Sequence, residues 1–137
     1  MSPTLFVNLA VAEISRTRGF FEGLGFVFDE MFSDGSTLCM PVTPNAVVMM
    51  HRSHRFAGYS AGPVPDPAVG RETVLAISVP ARSDVDRRLD AALHCGATVL
   101  RPPTDLGFLY ARTFCDLDGH AWEVVWTDPR RPATSAC

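Results

Sequence analysis

Lysine is absent from this chain of 137 residues, and all 12 of its basic residues are arginine. A Schiff-base mechanism needs a lysine amine, so that class of covalent catalysis is excluded. The 15 acidic residues leave a net charge of −3, and neither sign of charge forms a long run. Nucleic-acid-binding proteins usually carry a basic stripe. We therefore expect no nucleic-acid partner.

Long apolar runs are also missing. No stretch approaches the roughly 20 apolar residues that a membrane-spanning helix needs. The first residues, MSPTLFVNLA, lack the basic start and the cleavage pattern of a signal peptide. We therefore predict a cytoplasmic protein with no membrane partner.

Cysteine pairs at the spacing of a metal or redox site are missing too. The cysteines are widely separated, with no CxxC pair and no histidine at zinc-finger spacing. Free cysteine packs as a small hydrophobic residue, so we interpret these residues as buried thiols. The set is Cys39, Cys95, Cys115 and Cys137.

One repeated pattern of apolar positions organises the chain. Hydrophobic residues make up 47% of it, which is enough for the core of one domain of this length. Apolar positions alternate as in a strand, then recur at helical spacing, and then alternate again through three short strands. Module one, about 4–51, comprises strand 4–11, a helix at 13–24 that ends at Gly25, and strands 26–32, 37–42 and 46–51.

A linker and a second copy of the pattern follow. Residues 52–71 hold three prolines and three glycines, which predicts a connection with a short helical turn near 54–59. Module two, about 72–127, repeats the β-α-β-β-β order, and Ser83 with Asp86 resembles a capping box at the start of its helix. Its elements are strand 72–79, a helix closed by Gly96, and strands 98–101, 108–115 and 120–126, with a polar tail at 128–137.

This repeat predicts an α+β fold in which two βαβββ modules within a single domain, 1–137, form a curved mixed-sheet cleft. Each sheet would have one face covered by its helix and one bare face, and the bare faces would line a shared cleft. Ligand sites in such folds lie in the concavity. We expect Trp122 and Trp126 on the opposite face, in the core against the second helix.

The segment DLDGHAWEVVW at 116–126 is the most informative stretch of the second module. Asp118 and Gly119 predict a tight turn between two strands. Glu123 is then a lone carboxylate in an apolar strand, and a buried carboxylate needs an ion-pair partner or a metal ion. The residues alone leave both interpretations open.

The paired βαβββ units and the terminal DxDGxxxE motif resemble the vicinal oxygen chelate superfamily of glyoxalases, bleomycin-resistance proteins and extradiol dioxygenases. The likeness covers essentially residues 4–127. It is carried by FVNLAVAEISRTRGFFEGLGF, TVLAISVPARSDVDRRLDAALHCGA and DLDGHAWEVVW. Metal enzymes of this superfamily hold a divalent ion with residues on four strands. The resemblance places those four positions at Phe6, Met49, Val74 and Glu123.

Three of the four positions are unsuited to a metal. Phe6 and Val74 cannot act as ligands, and the thioether of Met49 is a poor ligand for hard divalent ions. A catalytic site normally needs about three protein ligands, so we predict no metal and no cofactor. A two-residue shift of register would instead offer a rebuilt ligand set of Asn8, His51, Ser78 and Glu123.

An ion pair at Glu123 is the alternative to a metal, and we favour it. If the hairpin closes about Asp118 and Gly119, Phe114 lies opposite Glu123 and Arg112 lies one diagonal step away, within reach. We predict that Arg112 or another cation on this face neutralises Glu123. A turn with an odd number of residues would reverse the facing and remove this pair.

Aromatic and thioether side chains with a few fixed polar groups are typical of a small-molecule pocket, although the aromatics could equally fill the core. By resemblance to the antibiotic-resistance branch, we expect a metal-free homodimer that binds an apolar or aromatic small molecule. The alternatives are a lyase, isomerase or dioxygenase with a rebuilt metal site, or a metal-free enzyme with Glu123 or Tyr110 as acid or base. His51 is otherwise a histidine at the strand-end rim. The predicted cleft residues are Phe6, Asn8, Met49, His51, Ser78, Tyr110, Arg112, Phe114 and Glu123.

Overall fold

The computed structural model describes residues 2–131. Met1 and residues 132–137, which include Cys137 and most of the predicted tail, lie outside the described part. The described residues form two compact units that divide between Asp66 and Pro67, and this boundary falls inside the predicted linker. None of the helices formed by residues 2–131 is long and apolar enough to span a membrane.

The first unit contains a three-stranded mixed sheet. Strands β1 (Leu5–Val11) and β3 (Ala46–Arg52) are parallel, and β2 (Thr37–Thr43) is antiparallel to β3, in the order β1-β3-β2. Helix α1 (Ile14–Gly23) packs against the sheet, because the alternating apolar side chains of the strands meet the apolar stripe of the helix. The buried residues of this layer are Leu9, Val11, Phe20, Phe21, Leu24, Leu38, Met40, Val48 and Met50.

The predicted strand at 26–32 is wrong. Asp29 Oδ1 accepts the N–H of Met31 at 3.0 Å, and a short 3-10 helix (Glu30–Phe32) forms there instead. The side chain of Asp29 thus competes for the backbone donor that a strand would use, as aspartate commonly does at turns. The order of elements in the first unit is therefore β-α-β-β. A second helix follows, in the segment where the sequence predicted only a short helical turn.

That helix, α2 (Ser53–Ser60), lies within the predicted linker. It begins directly after β3 and contacts β1 and β3. The predicted turn near 54–59 is thus confirmed and is longer than expected. The three prolines of the linker all follow residue 60, and α2 ends before them because proline lacks the N–H that a helix needs.

The second unit has the predicted β-α-β-β-β order. Its elements are β4 (Val74–Ser78), α3 (Arg82–His94), β5 (Thr98–Asp105), β6 (Leu109–Cys115) and β7 (Ala121–Thr127). The four strands form a mixed sheet in the order β4-β7-β6-β5, with β4 parallel to β7 and the other pairs antiparallel. The helix packs on β6 and β7, and Trp122 is buried there as predicted, whereas Trp126 is half-buried.

Both predicted glycine helix ends are confirmed. Gly25 follows α1 at φ 94° and Gly96 follows α3 at φ 107°, a left-handed conformation that glycine adopts without a steric penalty. The start of α3 lies two residues before the predicted position. Ala81 donates its N–H to Asp84 Oδ2 at 3.0 Å, so the helix begins at Arg82 rather than after Ser83.

Candidate functional site

The loop between β6 and β7 is organised by the buried carboxylate of Asp116. Its Oδ1 accepts the backbone N–H groups of Asp118 and His120 at 2.9 and 3.0 Å, and its Oδ2 accepts the indole N–H of Trp122 at 2.9 Å. Burial raises the pKa of Asp116 above its ordinary value, while His120 and these three hydrogen bonds partly offset that shift. One side chain therefore sets the shape of the whole turn.

The length of this turn reverses the predicted facing of β6. Cys115 pairs with Ala121, so the loop between them has five residues, which is an odd number. Glu123 lies opposite Thr113 and not opposite Phe114. Alternate residues of a strand face opposite sides of a sheet, so the predicted cleft positions on β6 are on the wrong side. The residues corrected in this way are Tyr110, Arg112 and Phe114.

Tyr110 and Arg112 instead link the sheet to α3. Asp86 on α3 accepts a hydrogen bond from the Tyr110 hydroxyl at 2.7 Å and one from the Arg112 guanidinium at 3.0 Å. The bond between Tyr110 and Asp86 lowers the pKa of Asp86, with help from Arg112, and raises the pKa of Tyr110. Phe114 is buried in the core. The predicted pair between Arg112 and Glu123 is therefore wrong.

Glu123 has a different arginine partner. Arg101 of β5 pairs in register with Thr113, which pairs in turn with Glu123, so the three form one row across three strands. The Arg101 guanidinium lies 3.0 Å from the Glu123 carboxylate. A cation thus neutralises Glu123, but it is Arg101 and not Arg112. Within residues 2–131, the Thr113 hydroxyl is buried without a hydrogen-bond partner.

Ser78 lies on the same face of the second sheet as Glu123. Ala76 pairs with Glu123 and Ser78 pairs with Val125 in the parallel register of β4 and β7. Ser78 is exposed. Of the five site residues predicted in the second unit, the structure therefore keeps two on this face.

The four site residues predicted in the first unit come together in one groove. Its volume is about 760 Å³, and its walls include two exposed aromatic side chains, Phe6 (56% exposed) and Tyr59 (68% exposed). Strands β1 and β3 form the floor, and α2 forms one wall. The lining residues are Phe6, Asn8, Met49, His51, Phe56, Tyr59 and Ser60.

The three groove residues on α2 were missed at the sequence level because they lie in a segment rich in proline and glycine. A signal was nevertheless present, since Phe56 and Tyr59 are three residues apart, as on one face of a helix. Tyr59 also lies against the imidazole of His51, with ring centroids 4.8 Å apart.

His51 is 2% exposed and both of its ring nitrogens are engaged. Nε2 lies 2.7 Å from Asn8 Oδ1, and Nδ1 lies 2.8 Å from Thr37 Oγ1. Arg55 donates to Thr37 Oγ1 at 2.7 Å and pairs with Asp34 at 3.1 Å. His51 is therefore not a rim histidine but the centre of a hydrogen-bonded chain from Asp34 to Asn8.

The surroundings of His51 favour its neutral form over the charged imidazolium. Burial lowers the pKa of His51 below its ordinary value, and the positive charge of Arg55 lowers it further, while Asp34 partly offsets both. The hydrogen bonds from Ser36 and Arg55 hold the pKa of Asp34 below its ordinary value. With one fixed neighbour at each ring nitrogen, His51 orients the Asn8 amide at the floor of the groove.

The residues at the four family positions do not fit a divalent ion. Phe6 and Val74 offer no ligand atom, and Met49 offers only a soft thioether. Glu123 is engaged by Arg101. The rebuilt ligand set of Asn8, His51, Ser78 and Glu123 does not fit a divalent ion either. Its one good nitrogen ligand, His51, already uses both ring nitrogens in hydrogen bonds. Across residues 2–131, no group of three or more His, Cys, Asp or Glu side chains could hold a metal.

Comparison with known proteins identifies one family model and many similar structures. The model of the Glyoxalase/Bleomycin resistance protein/Dioxygenase superfamily matches residues 5–124. No curated protein sequence matches the chain. Hypothetical protein SA1046 from S. aureus is similar to it at 21% identity and a TM-score of 0.78, over 92% of this chain and 95% of that one.

Two further structures show the same fold. A glyoxalase-related enzyme from Fulvimarina pelagi is 18% identical with a TM-score of 0.78, over 93% of this chain and 89% of that one. The fosfomycin resistance protein FosX from Mesorhizobium loti is 14% identical with a TM-score of 0.68, over 99% and 98%. At these identities the likeness extends to the fold alone.

Proposed function

Since the chain belongs to the Glyoxalase/Bleomycin resistance protein/Dioxygenase superfamily, we propose that it binds an apolar or aromatic small molecule in the groove of its first unit, without a metal. The observation that carries this proposal is the pair of exposed aromatic walls, Phe6 and Tyr59, above a fixed polar floor of Asn8 and His51. Concave sites with apolar walls and few convergent polar groups are the usual form of small-molecule sites.

The chemistry of the walls favours a flat ring system. Aromatic rings bind other rings by offset stacking or edge contacts. The thioether of Met49 adds a polarisable contact that adapts to the shape of a ring. Phe6 and Tyr59 are already exposed, so neither side chain has to leave the core before it can contact a ligand.

Equilibrium dialysis against a panel of planar aromatic antibiotics tests the proposal. We expect Phe6→Ala and Tyr59→Ala each to weaken binding by about tenfold, which corresponds to the loss of one good aromatic contact. Leu5→Ala is the matched control, because Leu5 is 64% exposed and adjoins Phe6 on the opposite face of β1. Failure to bind any compound, or equal loss in the Leu5 control, would contradict the proposal.

Elemental analysis of protein purified without chelators tests the competing metal-dependent lyase, isomerase or dioxygenase. Stoichiometric Ni, Zn, Mn or Fe that is lost in Glu123→Ala would overturn the metal-free proposal. We also propose a cytoplasmic homodimer, as the resemblance suggests, and light scattering coupled to gel filtration measures that assembly directly.

A further inference from the structure

We propose that Asn8 presents an amide N–H donor to the groove and thereby selects ring systems that carry a hydrogen-bond acceptor, such as a ring nitrogen or a carbonyl. This inference rests on the proposed function of the groove and adds the ligand chemistry that the groove would recognise. It follows from the direction of the hydrogen-bonded chain that ends at Asn8.

Arg55 sets that direction. Its guanidinium has donors only, so Thr37 Oγ1 must accept in the 2.7 Å bond between them. The hydroxyl hydrogen of Thr37 then points to His51 Nδ1 at 2.8 Å. His51 Nδ1 is therefore the unprotonated nitrogen, and Nε2 carries the hydrogen that is donated to Asn8 Oδ1 at 2.7 Å.

The opposite direction of the hydrogen bond between Thr37 and His51 would leave a buried donor without an acceptor. If His51 carried its hydrogen on Nδ1, Thr37 Oγ1 would accept from both His51 and Arg55. The hydroxyl hydrogen of Thr37 would then have no acceptor among the described hydrogen bonds of that buried side chain. Buried polar groups are rarely left in that state. The charged donor at the start of the chain also polarises the bonds that follow it.

The amide nitrogen of Asn8 remains after its oxygen is used by His51. Asn8 lies in register with Met49 and on the same strand face as Phe6, and all three line the groove. A ligand ring that lies against Phe6 and Met49 therefore meets a donor at the floor. An acceptor in the plane of that ring satisfies the donor, whereas a plain hydrocarbon leaves it unpaired.

The ring tautomer of His51 tests the direction of the chain without any ligand. Long-range ¹⁵N–¹H NMR of the free protein distinguishes a protonated from an unprotonated ring nitrogen. We expect the Nε2–H tautomer with Nδ1 unprotonated. The Nδ1–H tautomer would overturn the inference, whatever the groove binds.

Quinoline and naphthalene test the selection itself, because the two have the same shape and only quinoline has an acceptor. Binding is followed by the ¹³C methyl resonance of Met49. We expect Asn8→Asp, which keeps an acceptor for His51 but loses the donor, to weaken quinoline roughly five- to tenfold while naphthalene changes by less than about twofold. Asn8→Leu also loses the donor but adds no charge, and it should likewise weaken quinoline binding more than naphthalene binding.

The outcomes separate the two proposals. If both compounds shift Met49 but the Asn8 variants change both affinities alike or neither, the acceptor selection is wrong and the groove still binds rings. If neither compound shifts Met49 in the wild type, the proposed function fails and the acceptor selection fails with it, even when the His51 tautomer is as expected.

Discussion

Thr37 in the first unit and Thr113 in the second are both buried beside charged side chains, but their hydroxyl groups are paired differently. In the first unit, Thr37 accepts from Arg55 and is bonded to His51. In the second, Thr113 lies in the row between Arg101 and Glu123, and its hydroxyl has no partner within residues 2–131.

This difference shows what each sheet face is suited to do. A chain of hydrogen bonds orients the last group in it, and in the first unit that group is Asn8 at the floor of an open groove. An ion pair opposes the charge of each of its members, and in the second unit the carboxylate at the family position, Glu123, is paired with Arg101. The first unit therefore holds an oriented amide at the floor of its groove, whereas the second has its carboxylate paired with an arginine.

Replacement of Thr37 by valine should have the largest effect of four changes that probe this contrast. The variant removes one acceptor of Arg55, which keeps its pairing with Asp34, and leaves His51 Nδ1 buried and unpaired, which costs about 2 kcal/mol. Urea denaturation with the slope held common to both proteins measures the loss. An unchanged midpoint would show that the hydrogen-bonded chain contributes nothing to the fold.

Acidification should weaken the first unit to a smaller extent. The folded pKa of His51 is lowered by burial and by Arg55 from its ordinary value of 6.5. Between that lowered pKa and 6.5 the unfolded chain binds the additional proton, so the free energy of unfolding falls as the pH drops below about 6.5. Urea midpoints from pH 8 to pH 5 measure this slope, and His51→Gln should flatten it. An identical profile in the variant would assign the slope to other groups.

Removal of the Glu123 charge should lower the free energy of unfolding by less than the two preceding changes. Arg101 is half-exposed in this pair, and solvent-exposed ion pairs contribute about 0.5 kcal/mol or little more. Glu123→Gln should therefore unfold close to the wild type, and the difference should shrink further in high salt. A loss of several kcal/mol would mean that the pair, or a ligand of Glu123, holds the sheet together.

Thr113→Val should have the smallest effect and is the matched partner of Thr37→Val. The substitution replaces an unpaired buried hydroxyl with a methyl group of similar shape, so we expect a change within about 0.5 kcal/mol, or a slight gain in stability. An equal loss in the free energy of unfolding for Thr37→Val and Thr113→Val would contradict the proposed difference between the two units.

Much of the fold could be predicted because local rules decide it. The strands were identified from alternating apolar residues, and the helix ends from Gly25 and Gly96, where only glycine is free of strain. The predicted strand at 26–32 failed because the side chain of Asp29 captures a backbone donor, and composition does not reveal that competition.

The grouping of side chains at the candidate site was predicted in part. The first-unit residues Phe6, Asn8, Met49 and His51 do share one groove, since strand pairing and alternation place them on one face. The β6 residues were placed on the wrong face because their side depends on whether the turn has an odd or even number of residues. Asp116 fixes that number by binding two backbone N–H groups, a choice that depends on three-dimensional geometry.

Metal-free binding in the groove is tested most directly by the ¹³C methyl spectrum of the methionines during titration with a planar aromatic antibiotic in excess EDTA. Met49 lines the groove, Met40 and Met50 are buried, and Met31 is 85% exposed. We predict that the Met49 methyl resonance shifts and saturates while those of Met31, Met40 and Met50 stay in place. A Met49 resonance that stays unmoved in EDTA, or that moves only after a divalent ion is restored, would contradict metal-free binding.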